Sequence, residues 1–157
     1  MTNKKLKYQE FLALFSDCPP TEYMEIQQLA FRWVHGFEHR NDFVPLHRIQ
    51  EPPPRMLDDN DKMCAGYGLS MFDSVAHAMV RYQTLYTKLR EHLRVVFIED
   101  KGDQVAELQL TDSDGIASLP SPQNYGHFTF HEYETADLRS AVRAIHPIFD
   151  AHGKFIL

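Results

Sequence analysis

The chain has 157 residues, 43% of them hydrophobic and 12% aromatic, with a net charge of −6 and a pI of 5.8. That length predicts a single domain over residues 1–157, burying roughly 70% of its extended-chain surface, and the aromatic content argues against a disordered chain. The acidic balance disfavours general nucleic-acid binding, and no apolar run approaches the roughly 18 residues of a membrane-spanning helix.

Two cysteines, Cys18 and Cys64, are too few for a disulfide scaffold. The basic start at Lys4 and Lys5 is broken by Lys7, Gln9 and Glu10 before any apolar run develops, which argues against a cleaved secretory signal. The expectation is a reduced, soluble, cytoplasmic protein; export without a cleaved signal would leave no trace in the sequence.

In chain order, Tyr8, Phe11, Leu12 and Phe15 form one apolar stripe and predict a helix over 5–16, ended by Cys18-Pro19-Pro20. Thr21 is the N-cap of a second predicted helix over 22–30. The alternation in 31–34 predicts a strand closed by His35-Gly36. Residues 37–63 have no period, contain Pro45, Pro52-Pro53-Pro54 and Asp58-Asp59-Asn60-Asp61, and read as a long irregular loop. Such a loop is either a surface excursion with an acidic tip or a functional element. Gly66–Phe72 gives a glycine-entered strand near 68–72. Asp73 or Ser74 then caps a long helix over 74–95, with a short strand expected at Phe97-Ile98. Strands follow near 104–111 and 126–133, and Thr135 caps a last helix over 136–146 with Leu138, Val142 and Ile145 on one side. The fold class is therefore α+β: a small, mainly antiparallel sheet with about four helices around it.

The strand Gly126–Glu132 alternates Phe128 and Phe130 against His127, Thr129 and His131. Buried imidazoles and hydroxyls need partners, so the polar row is expected to face a cleft shared with segment 66–70. A metal is not expected. His127 and His131 stand about 13 Å apart along a strand, too far to grip one ion. Pairing His127 with His35, or His131 with His39, depends on tertiary contacts that the sequence leaves open, and the acidic run lacks the glycine and distal glutamate of a calcium loop. Cys64 has histidines available as bases but no nucleophile signature around it, and it reads as an inert buried thiol. Gly66-Tyr67-Gly68 lacks the third glycine of a dinucleotide fingerprint.

The remaining set is Arg32, then Gly68-Leu69-Ser70, then Glu132-Tyr133-Glu134. In this order the chain resembles ADP-ribosyltransferases of the arginine–serine–glutamate type. There an arginine on an early strand holds the nicotinamide dinucleotide, a serine on a central strand supports the site, and a Glu-x-Glu pair does the chemistry. Gly66-Tyr67-Gly68-Leu69-Ser70, with Ala76, Ala78 and Tyr82 beyond, is also similar to the glycine–tyrosine segment of the histidine–tyrosine–glutamate branch. In that branch His35 takes the place of Arg32 and Tyr67 stacks on nicotinamide. The chain departs from the pattern twice: the family's Ser-Thr-Ser is Leu69-Ser70-Met71, and Glu132 and Glu134 close a strand rather than open one. The resemblance implies NAD as substrate, Arg32, His35, Tyr67 and Gly68 as binding residues, and Glu132, Glu134 and Ser70 as catalytic ones. His127 joins the binding set from the polar face of its strand. The acceptor of the ADP-ribose is an unidentified protein or small molecule.

The alternative is a non-catalytic interaction or regulatory module. It would present loop 43–55, with its triple proline and Phe43, Leu46 and Ile49, and its acidic surface would suit a basic partner. An enzyme should gather Arg32 or His35, Ser70 and Glu132 in one cleft, whereas a module should scatter them and expose an apolar patch.

Overall fold

The computed structural model describes residues 4–35 and 39–157. The chain folds as α+β around one seven-stranded sheet in which all neighbouring strands run antiparallel. In chain order the elements are α1 (Gln9–Leu12), β1 (Met24–Glu25), β2 (Gln28–Val34), α2 (Leu46–Ile49), α3 (Asn60–Ala65), β3 (Leu69–Phe72), α4 (Val75–Thr87), α5 (Glu91–Lys101), β4 (Gln104–Leu110), β5 (Gly115–Ala117), β6 (His127–Glu132), α6 (Leu138–Ala141) and β7 (Val142–Pro147). The sheet order is β1-β5-β6-β3-β2-β4-β7.

Period two on the central strands gives the sheet two apolar faces. Ala30, Val34, Leu69, Met71, Ala106, Leu108, Phe128 and Phe130 line one, closed by Phe43 and Leu138. Phe31, Phe72 and Val105 line the other, covered by Ala78, Met79 and Tyr82 of α4. Each such large side chain, fully buried, contributes about 1.5–3 kcal/mol. Two polar atoms fix α4 on its face: Trp33 Nε1 donates to the Ala78 carbonyl at 2.8 Å and the Tyr82 hydroxyl to the Gly102 carbonyl at 2.6 Å. A third cluster, Leu6, Leu12 and Tyr133 with Tyr67 against it, holds the N-terminal segment to the end of β6.

Several expectations are corrected. The predicted helix over 22–30 is β1 and the start of β2, because β2 pairs with β4 along its whole length, from Gln28↔Leu110 to Val34↔Gln104. The helix predicted over 5–16 keeps one α-turn, and Leu6 instead bridges to Tyr133. The long helix splits where Arg90 is extended, so α5 begins at Glu91 and absorbs Phe97 and Ile98, expected as strand. The last predicted helix is α6 followed by β7. Val142 and Ile145 are three residues apart, a helical spacing, yet a bulge opposite Glu107 and Leu108 turns both onto one face of the sheet. The sheet is thus larger than expected and the helices more numerous.

The irregular loop over 37–63 contains α2, a 3-10 turn at Pro54–Met56 and α3, whose N-cap Asp59 accepts from the Lys62 amide at 3.1 Å. Residues 37 and 38 of that loop, and Gly36 expected to close the first strand, lie outside the described residues. The two cysteines, expected to be free, form a disulfide between Cys18 and Cys64 with a Cα–Cα distance of 5.7 Å. It staples the N-terminal segment to α3. No helix among the described residues is long and apolar enough to cross a membrane.

Candidate functional site

β2 and β3 touch at one register pair, Phe31↔Phe72, and part beyond it. Arg32 spans the parting. Its Nε donates to the Asp42 carbonyl at 2.7 Å and its Nη1 to the Ser70 carbonyl at 2.9 Å. A long cationic side chain here satisfies a strand carbonyl and a loop carbonyl that β2 and β3 leave unpaired where they part. Burial draws the Arg32 guanidinium down to about 10, while Asp42 and Glu132 pull the other way, so it stays cationic at neutral pH.

Over this parting lies a cavity of about 550 Å³, lined among others by Arg32, His35, Gly68, Ser70, Arg81 and His127. That volume falls within the roughly 300–1,000 Å³ of small-molecule sites. Its lining carries both signs, Arg32, Lys62, Arg81 and Lys101 with Asp42, Glu99 and Asp100. Burial, then the charges of Arg81 and Arg32, hold the His127 imidazole below its usual value, so it faces the cavity neutral at pH 7. Among the described residues neither Arg32 nor Arg81 forms an ion pair. Gly66 and Gly68 are required by their neighbours: a Cβ on Gly66 would lie 2.0 Å from His47 Nε2, and one on Gly68 2.6 Å from Thr129 Cγ2. His47 and Gly66 therefore interlock on the cavity wall.

Glu132 ends β6, the strand beside β3, and is 5% exposed. Burial pushes its carboxyl up to about 7, against the lowering effects of Lys7 and Arg32. Lys7 Nζ lies 3.6 Å from Glu132 Oε1, and the Lys7 amide donates to the Glu132 carbonyl at 3.0 Å. Tyr67 is covered by the same segment, stacked on Phe11 with centroids 5.2 Å apart and planes 12° apart. Glu134 is exposed, and its amide donates to the Lys5 carbonyl at 2.9 Å.

Of the residues singled out in the sequence, Arg32, His35, Gly68, Ser70 and His127 thus line one cavity. Glu132, Tyr67 and Glu134 do not line it: the first two lie against the N-terminal segment and Glu134 is exposed. The expected polar row on β6 is corrected at two positions: His127 lines the cavity, but Thr129 does not and packs its Cγ2 on Gly68. His131 is 2% exposed, packs on Gly68 and Tyr23, and is held neutral by burial, its imidazole drawn down to about 4. Arg81 and Asp42 were missed. Arg81 sits on a helix whose stripe reads as core, and Asp42 sits in a segment without period. No protein-family model, curated protein or solved structure matches the chain.

Proposed function

We propose that the cavity at the parting of β2 and β3 binds a nicotinamide dinucleotide, and that the chain breaks its nicotinamide–ribose bond and transfers ADP-ribose to an acceptor. The observation that carries this reading is Arg32. Among the described residues it is a cation without an ion pair, fixed by two main-chain acceptors, the Asp42 and Ser70 carbonyls, with the desolvated carboxyl of Glu132 on β6. Arg32 and Arg81 bind the pyrophosphate by charge-assisted hydrogen bonds. The apolar side chains of Leu46, Ile49 and Trp33, which also line the cavity, receive a base.

In the reaction the C–N bond to ribose breaks and nicotinamide leaves with the bonding electron pair. The ionised Glu132 carboxylate stabilises the cationic sugar, the acceptor attacks the anomeric carbon, and the acceptor's proton passes to a carboxylate. This requires the segment around Lys7 to move off Glu132. Glu132→Gln keeps the shape and removes the charge, so it should abolish nicotinamide release while leaving dinucleotide binding within about threefold of wild type. Chromatography of free nicotinamide, paired with binding calorimetry, is the test. Equal turnover by wild type and variant would refute the role of Glu132.

The interaction-module reading has one observation in its favour: Leu46, Ile49 and Leu57, on or near loop 43–55, are exposed. The first two also line the cavity, which gives them a place in the dinucleotide reading.

A further inference from the structure

We propose that His35, His39 and Asp42 bind a divalent transition-metal ion of the zinc class at the edge of the cavity. This does not rest on the dinucleotide reading. One ligand atom from each residue lies within 4.8 Å of the other two.

His35 Nε2 lies 2.6 Å from the Glu99 carbonyl, an acceptor, so that nitrogen carries a hydrogen. In the neutral ring Nδ1 then bears a lone pair, and it points at Asp42 Oδ1 only 2.8 Å away. Two acceptors at that distance repel unless a cation, either a proton or a metal, lies between them. The same arrangement is what metal-binding histidines use: the far nitrogen donates to a carbonyl, which fixes the tautomer and turns the near nitrogen to the ion.

Asp42 supplies a second, independent observation. It is 3% exposed, and among the described residues its Oδ2 has no hydrogen-bond partner. A buried carboxylate oxygen without a partner is costly, and an ion gripped by both Asp42 oxygens would satisfy it. His39 completes the set from the solvent side. Its ring stacks on His35 with centroids 4.2 Å apart, and its Nδ1, 4.0 Å from Asp42 Oδ1, accepts from the Asn41 amide at 3.2 Å, a hydrogen bond that an ion on that nitrogen replaces. Zinc–ligand bonds of about 2.0–2.2 Å in a tetrahedral site put ligand atoms about 3.3 Å apart. The His35–Asp42 distance opens by about half an ångström and the His39–Asp42 distance closes by slightly more, within reach of an exposed imidazole. Two imidazoles and one carboxylate suit zinc, and three protein ligands leave a position open to the cavity that all three residues line.

The test is calorimetric titration of zinc chloride alone into the intact chain, with circular dichroism as the fold control. Wild type should bind one zinc per chain, His39→Ala should bind at least tenfold more weakly, and His152→Ala, far along the sequence and exposed, should match wild type. Asp42→Asn should also lose the site; because Asp42 is buried and that variant risks misfolding, the exposed His39 carries the decision. Absence of a saturable site in folded wild type would overturn the proposal. So would His39→Ala binding zinc as wild type does.

Discussion

Replacing Glu132 by glutamine should stabilise the protein at alkaline pH while leaving it unchanged in acid. The folded state keeps the Glu132 proton up to about 7, whereas the unfolded chain releases it near 4.5. Between those values the unfolded state binds fewer protons, so rising pH lowers wild-type stability. Over that interval, at about 1.36 kcal/mol per pH unit, the loss reaches about 3 kcal/mol. Glutamine has no proton to lose and nearly the shape of the protonated acid. The variant should therefore match wild type at pH 4.5 and exceed it by about 3 kcal/mol at pH 8. His131 works in the opposite sense. Its folded-state value near 4 lies below the ordinary 6.5, so acidification from 6.5 toward 4 destabilises the fold. In wild type the two slopes oppose each other between 4.5 and 6.5, and Glu132→Gln should uncover a stability that climbs with pH through that window. Urea unfolding of both proteins at pH 4.5, 6.5 and 8 measures this directly. Parallel pH profiles would refute the claim that Glu132 is desolvated in the fold.

Cys64→Ser removes a link with a sequence separation of 46 and should cost about 4 kcal/mol by the loop-entropy relation; thermal unfolding with and without a dithiol reductant checks it, and reduced wild type should behave as the variant does. Reduction should also speed hydrogen exchange at the Lys7 and Glu134 amides, which pin the N-terminal segment to the end of β6. Gly66→Ala should destabilise by about 1–3 kcal/mol because its Cβ would overlap the His47 ring, and His47→Ala in the same chain should relieve part of that cost in a double-mutant cycle.

The sequence was legible where a residue's neighbours in space are also its neighbours in the chain. Phe128 and Phe130 on one face of a strand, Ser74 as cap of α4, accepting from the His77 amide at 3.0 Å, and Val105 alternating into the core all follow from local period and turn chemistry. The errors fall where tertiary pairing overrides local pattern. Gln28 and Leu29 are strand because β4 offers them a full ladder, and Val142 and Ile145 imitate a helix because a bulge lies between them. Arg32, Ser70 and Glu132 were nameable from their order, and they occupy three adjacent strands. That the N-terminal segment lies over Glu132 and that Cys18 meets Cys64 depend on chain crossings that no spacing encodes, and that His35, His39 and Asp42 converge depends on turns in a segment without period.

The central claim is that the parting of β2 and β3 is a dinucleotide site held by Arg32. Calorimetric titration of NAD into wild type and Arg32→Ala, both checked for native circular dichroism, tests it most directly. A charged hydrogen-bond donor to phosphate is worth about 1.5–3 kcal/mol. Wild type should therefore saturate at one dinucleotide per chain, with Arg32→Ala weaker by about tenfold to a hundredfold. Absence of binding by folded wild type at millimolar dinucleotide, or equal binding by the two proteins, would contradict it.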